Sequence, residues 1–199
     1  MPLASNETLA FLRNNDLKTI LKRVRERDVP PLMQFAAYTF CGCLATVVFL
    51  GTVLTLNYTI IPAYEDMTVT TTPVQLLGRP VLWMAETVPG QSQPITHDAA
   101  GNAIRAANLL VNNCIAFILT NFVAYFSNIL LVFKRGRHHP VFEFVYFTMV
   151  NFVSFAISQV AGPWLVSEFG VPTNVAILTN MVSSMLINFL ARKFFVFKN

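Results

Sequence analysis

Residues 172–198 read PTNVAILTNMVSSMLINFLARKFFVFK, and the charged residues Arg192, Lys193 and Lys198 all lie near the end of this stretch. At about 1.5 Å per residue, a helix of this length extends roughly 40 Å, which is enough to cross a bilayer. Its last third mixes cations with aromatic rings, a composition typical of helix ends at a membrane surface. The stretch therefore predicts a transmembrane helix.

The composition of the whole chain agrees with a membrane location. Of the 199 residues, 54% are hydrophobic and 12% are charged, and 18 are phenylalanine. Soluble domains carry about 25% charged residues and rarely hold several apolar runs of about 20 residues. We therefore expect an all-α integral membrane protein with four transmembrane helices, at about residues 32–61, 106–133, 141–166 and 172–197.

Two internal similarities indicate that the four helices are a duplicated helix hairpin. Residues 125–134 read YFSNILLVFK and residues 189–198 read FLARKFFVFK, so both segments begin with a ring and end in Val-Phe-Lys. Residues 34–40 (QFAAYTF) likewise resemble residues 143–149 (EFVYFTM). Because each repeat contains two helices, both repeats start on the same side of the membrane, and the repeat is parallel.

The distribution of lysine and arginine predicts the orientation. Twelve of the 14 lie at residues 1–31, 134–140 and 192–199, and the remaining two are Arg79 and Arg105. By the positive-inside rule, both termini are cytoplasmic. The insert at residues 62–105 is then external, and the apolar residues 74–85 predict a short helix on the outer surface of the membrane.

Residues 1–31 predict a cytoplasmic amphipathic basic helix that lies on the membrane. Basic residues are distributed around an apolar face with helical spacing, formed by Leu17, Ile20, Leu21 and Val24. Asn15 or Asp16 has a side chain suited to cap a second helical segment after a break.

No constellation of residues predicts catalysis, a metal site, a cofactor or nucleic-acid binding. The three cysteines and three histidines show no ligand spacing, and no nucleophile lies beside a base. Glu143 opens the third span directly after the basic loop. Its plain interpretation is an ion pair with Arg135, Arg137 or Arg192, and a proton-coupled role is the alternative.

These features together resemble the GtrA-like family of small four-helix membrane proteins. The resemblance rests on the duplicated hairpin, the Phe-rich start of each repeat and above all residues 189–198, and it covers residues 32–61 and 106–198. It implies a non-enzymatic protein of the bacterial cytoplasmic membrane. Such a protein flips or presents a polyprenyl phosphate or polyprenyl-phosphate-linked sugar for cell-surface polysaccharide or lipopolysaccharide assembly. The alternative is a non-transporting anchor or partner subunit of a polyprenyl-phosphate glycosyltransferase.

A polyprenyl phosphate carries an anionic head, so its carrier needs cations at helix ends. The candidates on the cytoplasmic side are Arg192, Lys193, Lys198, Lys134, Arg135 and Arg137. Arginine suits a phosphate best, because its planar group binds two oxygens at once. The alternative is that these cations only set the topology. Ile129 and Leu130 replace the family's basic residues in the first repeat, which argues against a symmetric pair of phosphate sites.

Amide side chains are numerous inside the predicted spans and must face one another or a polar path. The candidates for a sugar path are Asn128, Asn188, Asn121, Asn180, Asn151 and Gln159. The alternative is that they hold helices together, since an amide pair between membrane helices contributes about 0.6 to 2 kcal/mol. Two or more copies wall a polar path more easily than one, so we expect a homo-oligomer.

Overall fold

The computed structural model describes residues 2–26, 28–132 and 139–191, and for residues 2–6, 161 and 184–191 it describes the backbone alone. Six helices and four short strands follow one another in these residues. Their order and bounds are α1 (Pro2–Asn14), α2 (Leu17–Glu26), α3 (Pro31–Tyr58), β1 (Thr68–Thr70), β2 (Val74–Leu76), β3 (Arg79–Leu82), β4 (Ser92–Pro94), α4 (Ala99–Leu131), α5 (Pro140–Phe169) and α6 (Thr173–Ala191).

Three helices in the described residues are long and apolar enough to cross a membrane. These are α3, α4 and α5, with mean hydropathies of 2.0, 1.9 and 1.6. The chain is therefore mostly helical and carries three candidate membrane spans. Helix α6 begins at Thr173, within the fourth predicted span, and is described as far as Ala191. Four crossings and the cytoplasmic placement of both termini stay predictions.

Helix α4 begins at Ala99, inside the predicted insert 62–105, because Asp98 caps it. The Asp98 carboxylate accepts hydrogen bonds from the Thr96 hydroxyl and from the Gly101 N–H, the latter at 2.8 Å. The bond from Thr96, and then that from Gly101, lowers the pKa of Asp98 below its ordinary value. With 33 residues, α4 is roughly 50 Å long, more than the thickness of a bilayer including its head groups.

The N-terminal segment forms two helices, α1 and α2, and the break between them is at Asn15 and Asp16, where the sequence predicts a cap for a second segment. Asp16 begins the second of them: its carbonyl oxygen accepts from the Ile20 N–H at 2.9 Å, and a side-chain hydrogen bond with Thr19 lowers the pKa of Asp16. Two residues of the apolar face of α2 are solvent-exposed, Leu17 at 73% and Leu21 at 60%, and Ile20 and Val24 are half-buried. The contact of this face with a membrane stays a prediction.

Contacts among the described residues divide the chain into two compact units. The first comprises Met1–Val48 with Leu119–Thr148, and the second comprises Phe49–Ile118 with Met149–Asn199. The apolar core of the second unit takes a buried residue from each of four helices: Val53 of α3, Leu109 of α4, Val166 of α5 and Ile177 of α6. This core brings the four helices together around their polar residues.

The insert between α3 and α4 forms paired strands, so the prediction of a short helix at residues 74–85 is wrong. β1 pairs antiparallel with β4, and β2 pairs antiparallel with β3. Leu77 and Gly78 join β2 to β3 with φ values of 53° and 74°, the two-residue turn that matches the twist of paired strands. Pro80 follows, and proline is not accommodated inside a helix without loss of a hydrogen bond. The turn residues, which favour a hairpin, therefore outweigh the apolar composition, which favoured a helix.

Candidate functional site

The predicted cytoplasmic cations cannot be placed in a site, because all of them lie outside the described residues: Arg192, Lys193, Lys198, Lys134, Arg135 and Arg137. The side chain of Asn188 lies outside them as well. Glu143 is described, and its Oε1 atom is buried without a hydrogen-bond partner in that part of the chain. Its predicted arginine partners are among the residues outside the description.

Four buried polar side chains follow one another along α4 in the second unit. Arg105, Asn108, Asn112 and Asn113 are each fully buried, with 0% exposure. The first three are spaced by three and four positions and share one face of the helix, whereas Asn113 faces α5. All four therefore lie against neighbouring elements rather than against lipid. We call these four residues the α4 polar row.

Asn112 joins α4 to the end of α3. Its Nδ2 atom donates to Asn57 Oδ1 at 2.5 Å and to the Ile61 carbonyl oxygen at 2.8 Å. Asn57 is also fully buried. In the described residues, Asn112 Oδ1 and Asn57 Nδ2 have no partner, so this amide pair keeps one unused acceptor and one unused donor.

Asn113 joins α4 to α5, and Asn180 joins α6 to α5. Asn113 Nδ2 donates to Gln159 Oε1 at 2.8 Å, and the Gly162 N–H donates to Asn180 Oδ1 at 2.9 Å. Asn113 Oδ1 and Asn180 Nδ2 are buried and lack partners within the described chain. Two predicted path residues, Gln159 and Asn180, thus lie in one unit with the α4 polar row.

Helix α5 lacks one of its internal hydrogen bonds beside these amides. Pro163 lies inside α5 and has no N–H to donate to the Gln159 carbonyl oxygen one turn earlier. The adjacent Gly162 has no side chain, and a Cβ there would overlap the amide of Asn180. The small residue is therefore what lets Asn180 reach the α5 backbone.

Arg105 forms a buried ion pair with Glu65 at the start of the insert. Its side chain is 1% exposed, and its Nη1 atom donates to the Glu65 carboxylate and to the Val171 carbonyl oxygen, the latter at 3.2 Å. The Nη2 atom donates to Asn102 Oδ1 at 2.7 Å and to the Gly170 carbonyl oxygen at 3.5 Å. A buried guanidinium is stable only when paired in this way, so Arg105 ties α4 to the insert and to the α5–α6 turn.

The Asn108 side chain holds the insert by hydrogen bonds to main-chain groups of the insert. Its Nδ2 atom donates to the carbonyl oxygens of Pro62 at 2.6 Å and Trp83 at 2.9 Å, and its Oδ1 atom accepts from the Trp83 N–H at 2.9 Å. All three of these hydrogen bonds are therefore with main-chain groups. Unlike its neighbours in the row, Asn108 has no unused polar atom within the described chain.

Tyr64 adds a further link between the insert and α6. Its hydroxyl donates to Asn174 Oδ1 at 2.8 Å, and its ring stacks on that of Tyr58 with centroids 4.3 Å apart. Burial, followed by the hydrogen bond with Tyr58, raises the pKa of Tyr64 to about 12. The hydroxyl therefore remains a donor at neutral pH.

Two other predicted path residues lie in the first unit. Asn121 Nδ2 donates to the Thr148 hydroxyl at 2.7 Å, which joins α4 to α5 there. Asn128 Nδ2 donates to the Ala124 carbonyl oxygen of its own helix at 2.7 Å, and its Oδ1 atom is buried without a partner in the described residues. Asn151, half-buried on α5, belongs to the second unit. The predicted path is therefore divided between the units.

The sequence prediction did not include several of these buried or ion-paired residues as site residues: Asn57, Glu65, Arg105, Asn108, Asn112 and Asn113. The helical spacing of Arg105, Asn108 and Asn112 was the available signal, because a polar stripe in an apolar helix indicates a buried polar surface. The positive-inside count instead treated Arg105 as an external loop residue. The contact of Glu65 with Arg105 had no sequence signal, since it depends on how the insert folds.

The fold and these contacts define a helical membrane protein whose second unit encloses a row of amides and one paired arginine. Residues 101–197 match the family model described as GtrA/DPMS, transmembrane domain, which includes the whole α4 polar row. This match supports a membrane protein of the GtrA-like family, as the sequence resemblance predicts. The family match supports a membrane role related to polyprenyl-phosphate-linked sugars. Comparisons with curated proteins and with solved structures gave no match.

Proposed function

We propose that this protein moves a polyprenyl-phosphate-linked sugar across the bacterial cytoplasmic membrane for cell-surface polysaccharide or lipopolysaccharide assembly, and that Asn112 and Asn113 of the α4 polar row contact the sugar. The family match at residues 101–197 supports the lipid class. The observation that carries the sugar contact is the set of unpaired amide atoms in the second unit.

These unpaired atoms include both hydrogen-bond donors and acceptors. Asn57 Nδ2 and Asn180 Nδ2 are unpaired donors, and Asn112 Oδ1 and Asn113 Oδ1 are unpaired acceptors, in the described part of the second unit. A buried polar atom without a partner costs about 1 to 3 kcal/mol. A sugar hydroxyl donates and accepts hydrogen bonds at once, so a row of hydroxyls satisfies donors and acceptors alike. Water has the same capacity and fills such positions when no sugar is present.

A sugar reaches buried amides only if the helices separate, and α5 is built to bend near them. The missing hydrogen bond at Pro163 weakens the helix one turn from Gln159. The Asn180 contact to the Gly162 N–H is a single hydrogen bond of 2.9 Å, which a hydroxyl can replace. Bending of α5 at this point is therefore the proposed opening motion.

The phosphate end of the lipid is assigned to Arg192, with Lys193 in support, as the sequence predicts. We expect Arg192→Ala to weaken binding of polyprenyl phosphate roughly tenfold to a hundredfold, because a charge-assisted hydrogen bond contributes about 1.5 to 3 kcal/mol. Arg192→Lys should weaken it less, since it keeps a point charge. Lys22→Ala is the control, because Lys22 is an exposed cation of α2 that is not among the candidate phosphate ligands. If Arg192→Ala bound polyprenyl phosphate as tightly as the parent protein at matched salt, the role of Arg192 would be only to set the topology.

The test of transport uses proteoliposomes that contain this chain as their only protein and a labelled polyprenyl-phosphate sugar in one leaflet. We expect the label to reach the other leaflet with the parent protein and with Leu110→Ala, a lipid-facing control on α4 that is 40% exposed. Asn112→Leu, inserted to the same level, should slow the transfer at least tenfold. Binding without transfer by the parent protein would contradict transport and favour the anchor subunit of a glycosyltransferase.

A further inference from the structure

The tip of the β2–β3 hairpin consists of residues that neither the described fold nor the proposed function uses. Leu76 is 62% exposed and Leu77 is 97% exposed. Arg79 is exposed next to them, at the start of β3. Among the described residues, neither leucine belongs to an apolar core cluster of the second unit.

The backbone conformation at Leu77 also disfavours a large apolar side chain at this position. Leu77 has a φ of 53°, and Gly78 has a φ of 74°. Turns of this type favour Asn or Asp before the glycine, because a short polar side chain tolerates the left-handed region better than a large apolar one. Leu77 therefore disfavours the turn and gains no burial within the chain. An apolar contact outside the chain explains why a leucine occupies this position.

The hairpin is fixed at the level where α3 ends. The Trp83 N–H donates to Asn108 Oδ1 at 2.9 Å, and the Ala85 N–H donates to the Ile60 carbonyl oxygen at 2.9 Å. Asn108 lies roughly 13 Å along α4 from its first residue, so the hairpin base is set well back from that helix end. The tip at Leu77 is about 20 Å or less from Trp83 along an extended strand. The base of the hairpin is thus at the level where α3 ends, and its tip lies within about 20 Å of that level.

We infer that the hairpin tip inserts Leu76 and Leu77 into the lipid surface on the insert side of the membrane, with Arg79 at the lipid phosphates. Two leucines beside one arginine suit this surface, since the apolar side chains enter the acyl boundary while the cation stays among the anionic groups. The occupant is the bilayer that α3 and α4 are predicted to span, because the hairpin is held just after the end of α3 and beside Asn108 of α4. This contact does not depend on what the protein transports.

The test places a fluorescent probe on single cysteines at Leu77 and, as a control, at Thr72, an exposed polar residue of the same insert. The full chain, with Cys41, Cys43 and Cys114 replaced, is reconstituted at one copy per lipid disc. Lipids carrying a spin label near the head group then quench any probe that enters the acyl boundary. We expect a blue-shifted probe at Leu77 that is quenched at least threefold more than the probe at Thr72.

Arg79→Gln supplies a second measurement in discs of neutral and anionic phospholipid. It should lower quenching of the Leu77 probe in anionic discs and leave quenching in neutral discs unchanged. A water-like probe at Leu77, quenched no more than the probe at Thr72, would overturn the inference. So would a blue shift that appears only with several copies per disc and without lipid quenching, because it would assign the tip to a second copy of the chain.

Discussion

Replacing Asn108 by leucine removes the side chain that holds the insert to α4. The change deletes three hydrogen bonds, two to carbonyl oxygens and one from the Trp83 N–H, and leaves those main-chain groups without their partner. Each buried unpaired group costs about 1 to 3 kcal/mol, and partial access of water to Trp83 lowers the sum, so we expect local opening to become easier by about 3 kcal/mol. That corresponds to more than a hundredfold in the opening equilibrium.

Hydrogen exchange of the Trp83 amide measures this opening in the protein reconstituted in lipid discs. We expect exchange at Trp83 and Ala85 to rise more than about a hundredfold in Asn108→Leu, while amides in the middle of α4 stay protected. Leu110→Ala, on the exposed side of the same helix, should leave both amides unchanged. Unaltered exchange at Trp83 in Asn108→Leu would refute the claim that this side chain fixes the insert.

Two further predictions concern helix packing and capping. Gly162→Ala should displace Asn180 and lower the stability of the α5–α6 contact by about 1 to 3 kcal/mol, seen as a lower unfolding temperature, whereas Gly42→Ala, where a Cβ meets nothing within 4 Å, should be neutral. Equal unfolding temperatures for the two variants would count against the packing described here. The pKa of Asp98 is lowered in the folded chain, so its capping contribution is complete above the unfolded pKa of about 4 and is lost as the pH falls through the folded value. Protection of the first turn of α4 should therefore drop on acidification, and Asp98→Asn should remove that pH dependence.

The apolar runs predicted the long helices because length and hydropathy are properties of the sequence alone. Helices α3, α4 and α5 cover most of the first three predicted spans, and residues 101–197 match the family that the ending at residues 189–198 suggested. The observed bounds of the elements differ from the predicted ones where local hydrogen bonds determine where an element begins. Asp98 starts α4 within the predicted insert, and the Leu77-Gly78 turn makes strands of a segment whose apolar content favoured a helix.

The candidate site was predicted less completely, because buried polar contacts depend on which segments meet. Gln159 and Asn180 were expected in a polar path, and the structure joins Gln159 to Asn113 of the α4 polar row and Asn180 to Gly162 of α5, in the same unit. Arg105 was counted as an external cation, since a topology rule treats each cation separately and does not find Glu65 across the insert. The phosphate-binding role of Arg192 stays a prediction.

The most direct test of the proposed sugar contact is native mass spectrometry of the purified protein with polyprenyl phosphate and with its glycosylated form. The parent protein and Leu110→Ala should prefer the glycosylated lipid by about tenfold, because two added hydrogen bonds of about 0.5 to 1.5 kcal/mol each give a preference of this size. Asn112→Leu should lose the preference and still bind the unglycosylated lipid as the parent does. Equal binding of both lipids by the parent protein, or an unchanged preference in Asn112→Leu, would contradict the assignment of the α4 polar row to the sugar.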